Sequence, residues 1–495
     1  MEKFQFYFQF ETRDKSYERM GAATAQRGRG RDLCRPRPKT AWSERSVKGG
    51  GEAPKTLRNQ RQLRAIPLLC TPQVSPLLMP LFLGTNAGTV DESPVFLDAT
   101  ARTRHTYVVG QTGTGKSVFL INLATQVFQS GGGAYIDPHG DNATELLSHI
   151  ATRRADDLLV IDLADSESPV GLNFLGNVEP ARRSYMADKY VNLFIRIFGE
   201  TSVGDRSQQL LRNALLAVME GKHNSLLTVL LLLRNNDLRT KLTHDVKDPL
   251  VRSYWRDEFE SYDERFRDQV VSPILNKLDA ILSHHALRNI LSQPACSVNF
   301  REHMDSKKIL VVMLRKGTIG ESGARIMGEL IFSEIVRAAF ARDDTAHRPF
   351  FECIVDEFQN VVNADTDTVL SEARKYGLSL TLANQYLAQI PPETLAAIFG
   401  NVGTFISFRP SPGDAKILSE QFLAVGPQGL LDLPNFRAWL RPLEHGAPAS
   451  PILLQTPPPG PAEHDRADNL RGASRRRYGK PKAGVEKHIR GLFNS

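Results

Sequence analysis

The sequence predicts an α/β protein in which one parallel sheet is interrupted by a long all-α segment. Two sets of short, apolar, β-branched runs are punctuated by Gly, Pro and Asp, which is typical of buried parallel strands alternating with helices. Between the sets, residues 180–300 show amphipathic helical periodicity instead. A phosphate-binding motif lies in the first set and an acidic motif in the second, so we assign both sets to one sheet.

The predicted elements divide the chain into five parts. Strands are expected at Thr106–Val109, Ala134–Asp137, Leu158–Leu163, Ile309–Leu314, Phe350–Asp356, Leu378–Ala383 and Thr404–Phe408. Helical runs are expected at Tyr185–Phe198, Gln208–Met219, Leu226–Arg234 and Val270–Leu291. These patterns place the α/β domain at residues 83–179 and 301–445, the all-α insertion at 180–300, and two tails at 1–82 and 446–495.

Both tails are predicted to be disordered and basic. Residues 1–65 hold 16 Lys/Arg against 7 Asp/Glu, and residues 464–490 hold 9 against 3, whereas the whole chain carries +7. The first tail mixes aromatic, Arg-Gly and Pro-rich pieces, and the second is Pro-rich and then basic. Such tails can bind nucleic acid or anionic lipid by counterion release, and they can equally remain solvated without a ligand.

Composition excludes several other classes of protein. Cys34, Cys70, Cys296 and Cys353 lack the spacing of a zinc site or a disulfide framework, which fits a reducing, cytoplasmic setting. The most apolar early stretch, residues 66–83, is cut by four prolines, so no membrane span is expected. The N-terminus also lacks the order of regions that marks a secretory signal.

The strongest motif is a phosphate-binding loop. Its residues are Gly110-Gln111-Thr112-Gly113-Thr114-Gly115-Lys116-Ser117, which match GxxxxGK[ST], follow a predicted strand and open an apolar helix. Glycines let successive backbone N–H groups surround phosphate oxygens at the helix N-terminus. Lys116 is expected to reach the β- and γ-phosphates, and the Ser117 hydroxyl to bind Mg²⁺.

The second motif is an apolar strand that ends in two carboxylates, Asp356 and Glu357. This arrangement puts Asp356 near the Mg²⁺ ligands and leaves Glu357 able to polarise an attacking water. Paired acids favour hydrolysis of ATP over phosphate transfer to a metabolite. The sequence therefore predicts an ATP hydrolase with ATP and Mg²⁺ as its ligands.

Weaker candidates follow other predicted strands. Gln385 can sense the γ-phosphate or position water, although a polar residue at a strand end is also common in turns. Arg374 and Arg409 are each candidates for an arginine that enters a neighbouring subunit's site, with a surface ion pair as the alternative. His139, in Asp137-Pro138-His139-Gly140-Asp141, is interpreted as structural, and no metal beyond Mg²⁺ is assigned.

Together these residues resemble the conjugative coupling proteins of type IV secretion systems (TraG/TraD-like DNA-transfer ATPases), in the HerA/FtsK group of ring-shaped motors. The matching pieces span about residues 83–445. They are the Gly110–Ser117 loop, Tyr135–Asp141, Pro169–Asn173, Val355–Asn360, Leu370–Gly377 and Asn401–Thr404. Membrane-anchored members have N-terminal transmembrane helices, and none is predicted here.

The resemblance implies a RecA-like P-loop domain interrupted by the all-α domain, a homo-hexamer, ATP bound between subunits, and DNA passing through a central channel. It agrees with the roles given to Lys116, Ser117, Asp356, Glu357 and Gln385, and it favours Arg374 as the residue acting across the subunit boundary. It also implies a relaxase and secretion-channel subunits as partners, with residues 180–300 as the candidate surface for substrate selection. The implied location is the cytoplasm, with the inner face of the cell membrane as a peripheral site.

Three functions remain open on the sequence. The first is an ATP-driven DNA translocase that serves conjugative transfer. The second is a soluble HerA-like translocase that works with a nuclease. The third is an ATP-switched scaffold that assembles a secretion channel and moves no DNA. Stimulation of hydrolysis by DNA separates the third function from the other two.

Overall fold

The computed structural model describes residues 78–493, except residues 177, 200–201, 362–365 and 445. The tail expected at residues 1–82 therefore lies, up to residue 77, outside the described residues, as do Cys34 and Cys70. Cys296 and Cys353 are free thiols. In the described part, no helix is both long and apolar enough to cross a bilayer.

Thirteen strands occur within the described ranges. They are β1 (Leu81–Asn86), β2 (Pro94–Leu97), β3 (Thr106–Val109), β4 (Gly132–Asp137), β5 (Leu158–Asp162), β6 (Ile309–Met313), β7 (Phe351–Val355), β8 (Leu378–Asn384), β9 (Thr404–Ser407), β10 (Arg437–Arg441), β11 (Leu443–Glu444), β12 (Ala447–Pro448) and β13 (Ile452–Gln455). Eleven of them form one sheet in the order β2-β1-β13-β10-β9-β3-β8-β7-β4-β6-β5, and β11 pairs with β12.

The helices connect these strands and cover the sheet. They are α1 (Ala99–Arg102), α2 (Lys116–Ser130), α3 (Asp141–His149), α4 (Arg183–Phe198), α5 (Asp205–Glu220), α6 (Leu226–Arg234), α7 (Asn236–His244), α8 (Pro249–Ser253), α9 (Glu264–Leu282), α10 (His285–Leu291), α11 (Phe300–Asp305), α12 (Lys316–Ile319), α13 (Glu321–Phe340), α14 (Thr366–Glu372), α15 (Pro392–Asn401), α16 (Pro412–Ser419), α17 (Pro427–Leu431), α18 (His464–Tyr478) and α19 (Lys482–Phe493).

The parallel part of the sheet confirms the predicted fold class. Seven neighbouring strands, from β9 to β5 in the sheet order, run parallel. Every residue of β3, β4, β6, β7 and β8 is buried. Strands covered on both faces must be apolar throughout, which explains the continuous apolar runs in the sequence. Between β5 and β6 the described residues form helices and loops, with no strand.

Buried polar side chains join the helical insertion to the rest of the fold. Asn173, which precedes the insertion, donates from Nδ2 to the carbonyls of Asn224 (2.7 Å) and Gln293 (2.9 Å) within it. Glu329 on α13 is only 1% exposed and accepts from Arg196 of α4 at 2.9 Å. Because a buried carboxylate requires its partners, these contacts fix the insertion against the sheet-covering helix α13.

The C-terminal region differs from the predicted loose tail. Strand β13 lies inside the sheet between β1 and β10, and pairs antiparallel with both. Helices α18 and α19 follow it, and Val485, Ile489 and Leu492 of α19 are buried. The expectation of disorder for residues 446–495 was therefore wrong, because β13 and α18 are ordered by partners from distant segments of the chain.

Ionic contacts explain the basic composition of α18. The helix packs beside the edge strand β5, where the Ser474 hydroxyl accepts the Val160 N–H at 2.8 Å. Its arginines form the ion pairs Arg471–Asp162 (2.7 Å), Arg475–Asp165 (2.5 Å) and Arg477–Asp156 (2.6 Å). These cations thus neutralise carboxylates of the same chain, so they are not free charges offered to nucleic acid or lipid.

Asp162 is the carboxylate most embedded in these contacts, and we expect Asp162→Asn to lower the free energy of unfolding by about 1.5–3 kcal/mol, the worth of a hydrogen bond to a charged group. Its side chain is 10% exposed and accepts from both Arg315 (3.2 Å) and Arg471 (2.7 Å). Burial opposes ionisation of Asp162, but Arg315 and Arg471 outweigh it and lower its pKa. Urea unfolding at neutral pH measures the loss.

The lowered pKa sets the sign of a pH dependence. A carboxylate with a depressed folded-state pKa stabilises the fold above its unfolded pKa, and this stabilisation disappears as pH falls through the folded value. The difference between wild type and Asp162→Asn should therefore shrink below about pH 4, near the ordinary aspartate pKa. Asp468→Asn, an exposed acid on α18, is the matched control. An unchanged unfolding midpoint for Asp162→Asn would contradict the role assigned to the ion pairs.

Candidate nucleotide site

The phosphate-binding loop leaves β3 and enters α2 through two positions that need glycine. Gly115 has φ +110° as the residue preceding α2, a conformation that other residues rarely adopt. At Gly110, an added Cβ would lie 2.5 Å from Cβ of Phe408, so the loop could not approach the strand β9 region with a larger residue. The loop therefore has the left-handed turn and close approach that expose backbone N–H groups at the N-terminus of α2.

Four of the candidate residues converge beside this loop. Lys116 Nζ lies 2.8 Å from Glu357 Oε1 and 3.5 Å from Asp356 Oδ1. Gln385 Nε2 donates to the same Glu357 oxygen at 2.9 Å, and the Thr112 hydroxyl donates to Gln385 Oε1 at 3.0 Å. Strand β8 separates β3 from β7 in the sheet, so Gln385 lies between the loop and the two carboxylates.

The two carboxylates have opposite pKa shifts. Burial opposes ionisation of Glu357, but Lys116 and the hydrogen bonds from Gln359 and Gln385 outweigh it, so the Glu357 pKa is lowered. Burial raises the pKa of Asp356, and the neighbouring Glu357 charge raises it further against the effect of Lys116. Glu357 is therefore ionised at neutral pH. It also has φ +46°, a strained conformation of the kind found at functional sites.

Asn142 and Gln359 belong to this cluster, although sequence reasoning did not select them. Asn142 Nδ2 donates to Asp356 Oδ2 at 2.8 Å, and Gln359 Nε2 donates to Glu357 Oε2 at 2.7 Å. Asn142 is in the first turn of α3, directly after the Asp137–Asp141 motif. The only available signal was its position beside that motif.

The Asp137–Asp141 loop is held by its own first residue. The Asp137 carboxylate is fully buried and accepts the N–H groups of His139 and Ala143, both at 2.8 Å. His139 itself is exposed. No cluster of His, Cys, Asp or Glu suited to a metal ion occurs within the described ranges. The loop therefore serves to position α3 and Asn142.

Oxygen donors suited to Mg²⁺ are present in the cluster. The Ser117 hydroxyl is in the first turn of α2, and Asp356 is 3% exposed, with one oxygen bound by Asn142 and the other 3.5 Å from Lys116. Hydroxyl and carboxylate oxygens are the ligands that Mg²⁺ takes alongside phosphates. The donor set therefore fits the cation expected with a nucleotide.

The structure does not bring Arg374 to the site of its own chain. Arg374 lies in the turn before β8, whereas the phosphate-binding loop faces the opposite end of that strand, about 20 Å away for seven residues of strand. Within the described part, its exposed side chain has no hydrogen bond or ion pair. Burial and the neighbouring Arg104, which sequence reasoning missed, lower the Arg374 pKa. These two guanidinium groups form no ion pair with the described residues, an arrangement that is suited to binding an anion.

Arg409 contacts the phosphate-binding loop of its own chain instead. Its carbonyl accepts the Gln111 N–H at 3.0 Å, and its guanidinium donates to the Leu433 carbonyl (3.2 Å) and to Asn435 Oδ1 (3.0 Å). The side chain is thus occupied in bracing the residues that precede β10. This geometry favours the structural alternative for Arg409.

Two family profiles match the sequence. Residues 82–318 match the central domain of helicase HerA, and residues 351–422 match the TraM recognition site of TraD and TraG. Both profiles together contain the phosphate-binding loop and the acidic strand end. No curated protein sequence matches the chain.

Solved structures of low sequence identity share the fold. The plasmid coupling protein TrwB in complex with the GTP analogue GDPNP has a TM-score of 0.55 at 17% identity, covering 77% of this chain and 97% of that one. TrwB with ADP and Mg²⁺ has a TM-score of 0.55 at 16% identity, with 77% and 96% covered. VirB4 of Thermoanaerobacter pseudethanolicus has a TM-score of 0.53 at 12% identity, with 78% and 98% covered. At these identities the likeness establishes the fold.

Proposed function

We propose that this chain is a P-loop ATPase of the HerA/FtsK group and that it couples ATP hydrolysis to the movement of DNA in conjugative transfer. The observation that carries the proposal is that one chain matches the HerA central domain and then the TraD/TraG recognition site. The Lys116–Glu357–Gln385 cluster is assembled from residues of both matched segments. The first profile is that of a helicase, and one structure with a similar fold is the bacterial conjugative coupling protein TrwB. The cluster supplies the hydrolytic chemistry that a motor needs.

The residues around the phosphate-binding loop have different roles in hydrolysis. Backbone N–H groups of residues 110–117 cradle the phosphates, and Lys116 moves from Glu357 onto the β- and γ-phosphate oxygens. Ser117 and Asp356 hold Mg²⁺, which when bound neutralises charge that develops on the phosphates.

Once Lys116 has left, Glu357 is an unpaired, ionised carboxylate. It can then accept a proton from an attacking water molecule, while Gln385 orients that water. The ion pair Lys116–Glu357 thus keeps the carboxylate occupied until a nucleotide displaces the lysine. This exchange would couple the competence for hydrolysis to the presence of substrate.

Arg374 acts in the site of a neighbouring subunit of a homo-hexamer. Two observations support this assignment: Arg374 is distant from its own phosphate-binding loop, and its guanidinium, beside Arg104, forms no ion pair with any residue that the structure describes. The proposed division places the RecA-like domain at residues 83–179 and 301–445 and the all-α domain at 180–300. DNA passes through the ring, the all-α domain contacts a relaxase, and secretion-channel subunits place the ring at the inner face of the membrane.

Hydrolysis measured with and without DNA tests the proposal. Wild-type protein should hydrolyse ATP several-fold faster when single- or double-stranded DNA is present. The reason is that DNA bound in the channel favours the form of the ring that hydrolyses ATP. The stimulation should weaken as salt rises, since phosphate contacts release counterions. Lys116→Ala is the negative control, because it removes the cation that binds the phosphates.

A rate indifferent to DNA in a verified hexamer would refute the motor proposal and support the scaffold function. A second candidate, a HerA-like translocase that works with a nuclease, is favoured by the length of the HerA match, 82–318. Transfer assays separate the two motors: deletion of the gene should abolish DNA transfer between cells for the conjugative motor and leave it intact for the nuclease partner.

A further inference from the structure

Phe436 is an unusual aromatic residue beside the phosphate-binding loop. It is 41% exposed, so part of its side chain is accessible to a ligand. It also has φ +64°, in the left-handed region where a non-glycine residue is strained. This backbone conformation is unusual for an aromatic residue, and such strained positions often lie at functional sites.

The backbone of Phe436 is fixed by hydrogen bonds on both sides. Its N–H donates to the Thr114 carbonyl in the phosphate-binding loop at 2.8 Å. Its carbonyl accepts from Thr456 N and Thr456 Oγ1, both at 2.9 Å, and from Gln455 Nε2 at 3.3 Å. These four bonds hold the strained conformation in one orientation.

The ring of Phe436 lies directly against the last glycine of the loop. A Cβ added at Gly115 would be 2.8 Å from Phe436 Cδ1, so only glycine leaves room for the ring. Arg409 braces the preceding residues through its bonds to Leu433 and Asn435. The ring is therefore held in a fixed position against the phosphate-binding loop.

The position of Phe436 corresponds to the nucleoside end of a bound nucleotide. Lys116 points toward Glu357 at the end of β7, which fixes the γ-phosphate end of the site. Phe436 directly precedes β10, on the other side of β3 in the order β10-β9-β3-β8-β7. A nucleotide whose terminal phosphate lies at Lys116 and whose β-phosphate lies in the loop must extend its sugar and base away from Glu357, toward Phe436.

We propose that the Phe436 ring is the surface on which the nucleotide base stacks, an inference that rests on the proposed ATP site. Stacking on a ring accepts any base, since every base has a flat π face. The adjacent polar side chains are already engaged: Asn435 Oδ1 accepts from Arg409, and Gln455 Oε1 accepts from Arg437 at 3.0 Å. The site should therefore bind ATP and GTP with similar affinity.

Calorimetric titration of purified protein with Mg-ADP and with Mg-tripolyphosphate tests the proposal, since the second probe has phosphates but no base. Phe436→Ala should raise the Kd of ADP about tenfold to hundredfold, the worth of one stacked base. The Kd of tripolyphosphate should not change. Phe436→Trp should bind ADP as wild type does, and its added fluorescence should fall with ADP but not with tripolyphosphate.

The matched control is Phe96→Ala, an exposed aromatic of strand β2 in the same protein. If Phe436→Ala weakens ADP and tripolyphosphate equally, the ring only supports the loop and the stacking proposal is wrong. If neither affinity changes, or if wild type prefers ATP over GTP by more than tenfold, the proposal is also wrong, although the ATPase assignment survives. If wild-type protein binds neither ADP nor tripolyphosphate, the proposed ATPase function is itself wrong.

Discussion

Replacing Arg374 with alanine is expected to lower ATP turnover about 10³-fold or more, the effect of removing an arginine that stabilises phosphoryl transfer from a neighbouring subunit. The side chain is unpaired within the described part and lies at the opposite end of β8 from its own loop. Its loss should therefore leave the fold and the nucleotide affinity of its own subunit unchanged. Steady-state hydrolysis at saturating ATP measures the effect, and Lys375→Ala, the adjacent cation, should retain activity.

Mixing variants tests whether Arg374 acts across the boundary. Arg374→Ala and Lys116→Ala should each be inactive alone. In an equimolar mixture that exchanges subunits, about one interface in four joins an intact Lys116 to an intact Arg374, so activity should return at those interfaces. Absence of recovery in hexamers shown to be mixed by native mass spectrometry would mean that Arg374 has no role in trans.

Glu357→Gln is expected to lower kcat by about 10²–10⁴, the contribution of a positioned base, while ATP binding persists or tightens. The amide has nearly the same shape but cannot accept a proton from water. It also removes the ion pair at 2.8 Å that occupies Lys116 before a nucleotide binds. Single-turnover hydrolysis and calorimetric titration with ATP measure the two effects separately.

Glu393→Gln, an exposed glutamate in the first turn of α15, is the control for a neutralised charge. The assignment of Glu357 as the base would be overturned if Glu357→Gln hydrolysed ATP at the wild-type rate. A large rise in the Kd of ATP would instead mean that the carboxylate supports the loop. In either case the Lys116–Glu357 exchange would not be the switch proposed here.

The parallel core could be predicted for two reasons. Its strands are buried on both faces and are therefore apolar throughout, and the functional residues lie at the ends of these strands. All seven predicted strands occur, within two residues of the expected bounds. The antiparallel flank and α18 were missed for a different reason. Helix α18 has few apolar residues, such as Ala467 and Leu470, and is anchored by ion pairs to carboxylates about 300 residues earlier in the chain. No local pattern reports such a contact.

In the candidate site, too, some residues could be predicted from the sequence and others could not. Lys116, Asp356, Glu357 and Gln385 could be selected because each follows a strand or begins a helix, and parallel strands end at a common edge. Phe436 could not be selected, because nothing in its neighbourhood marks it. Its significance comes from a backbone conformation and a contact with Gly115, which depend on a sheet assembled from distant segments.

The place of β13 in the sheet has a consequence for how the protein is made. Among the residues that the structure describes, strand β1 pairs with β2 and β13 alone. Thr85 lies opposite Gln455, so 370 residues separate the paired positions. At a synthesis rate of about 5–20 residues per second, β1 leaves the ribosome well before its partner exists. The parallel core can form before β13 is synthesised, and β13 then joins the hairpin of β1 and β2 to β10. A chain interrupted shortly after β10 would thus carry an assembled P-loop region with an unpaired strand edge.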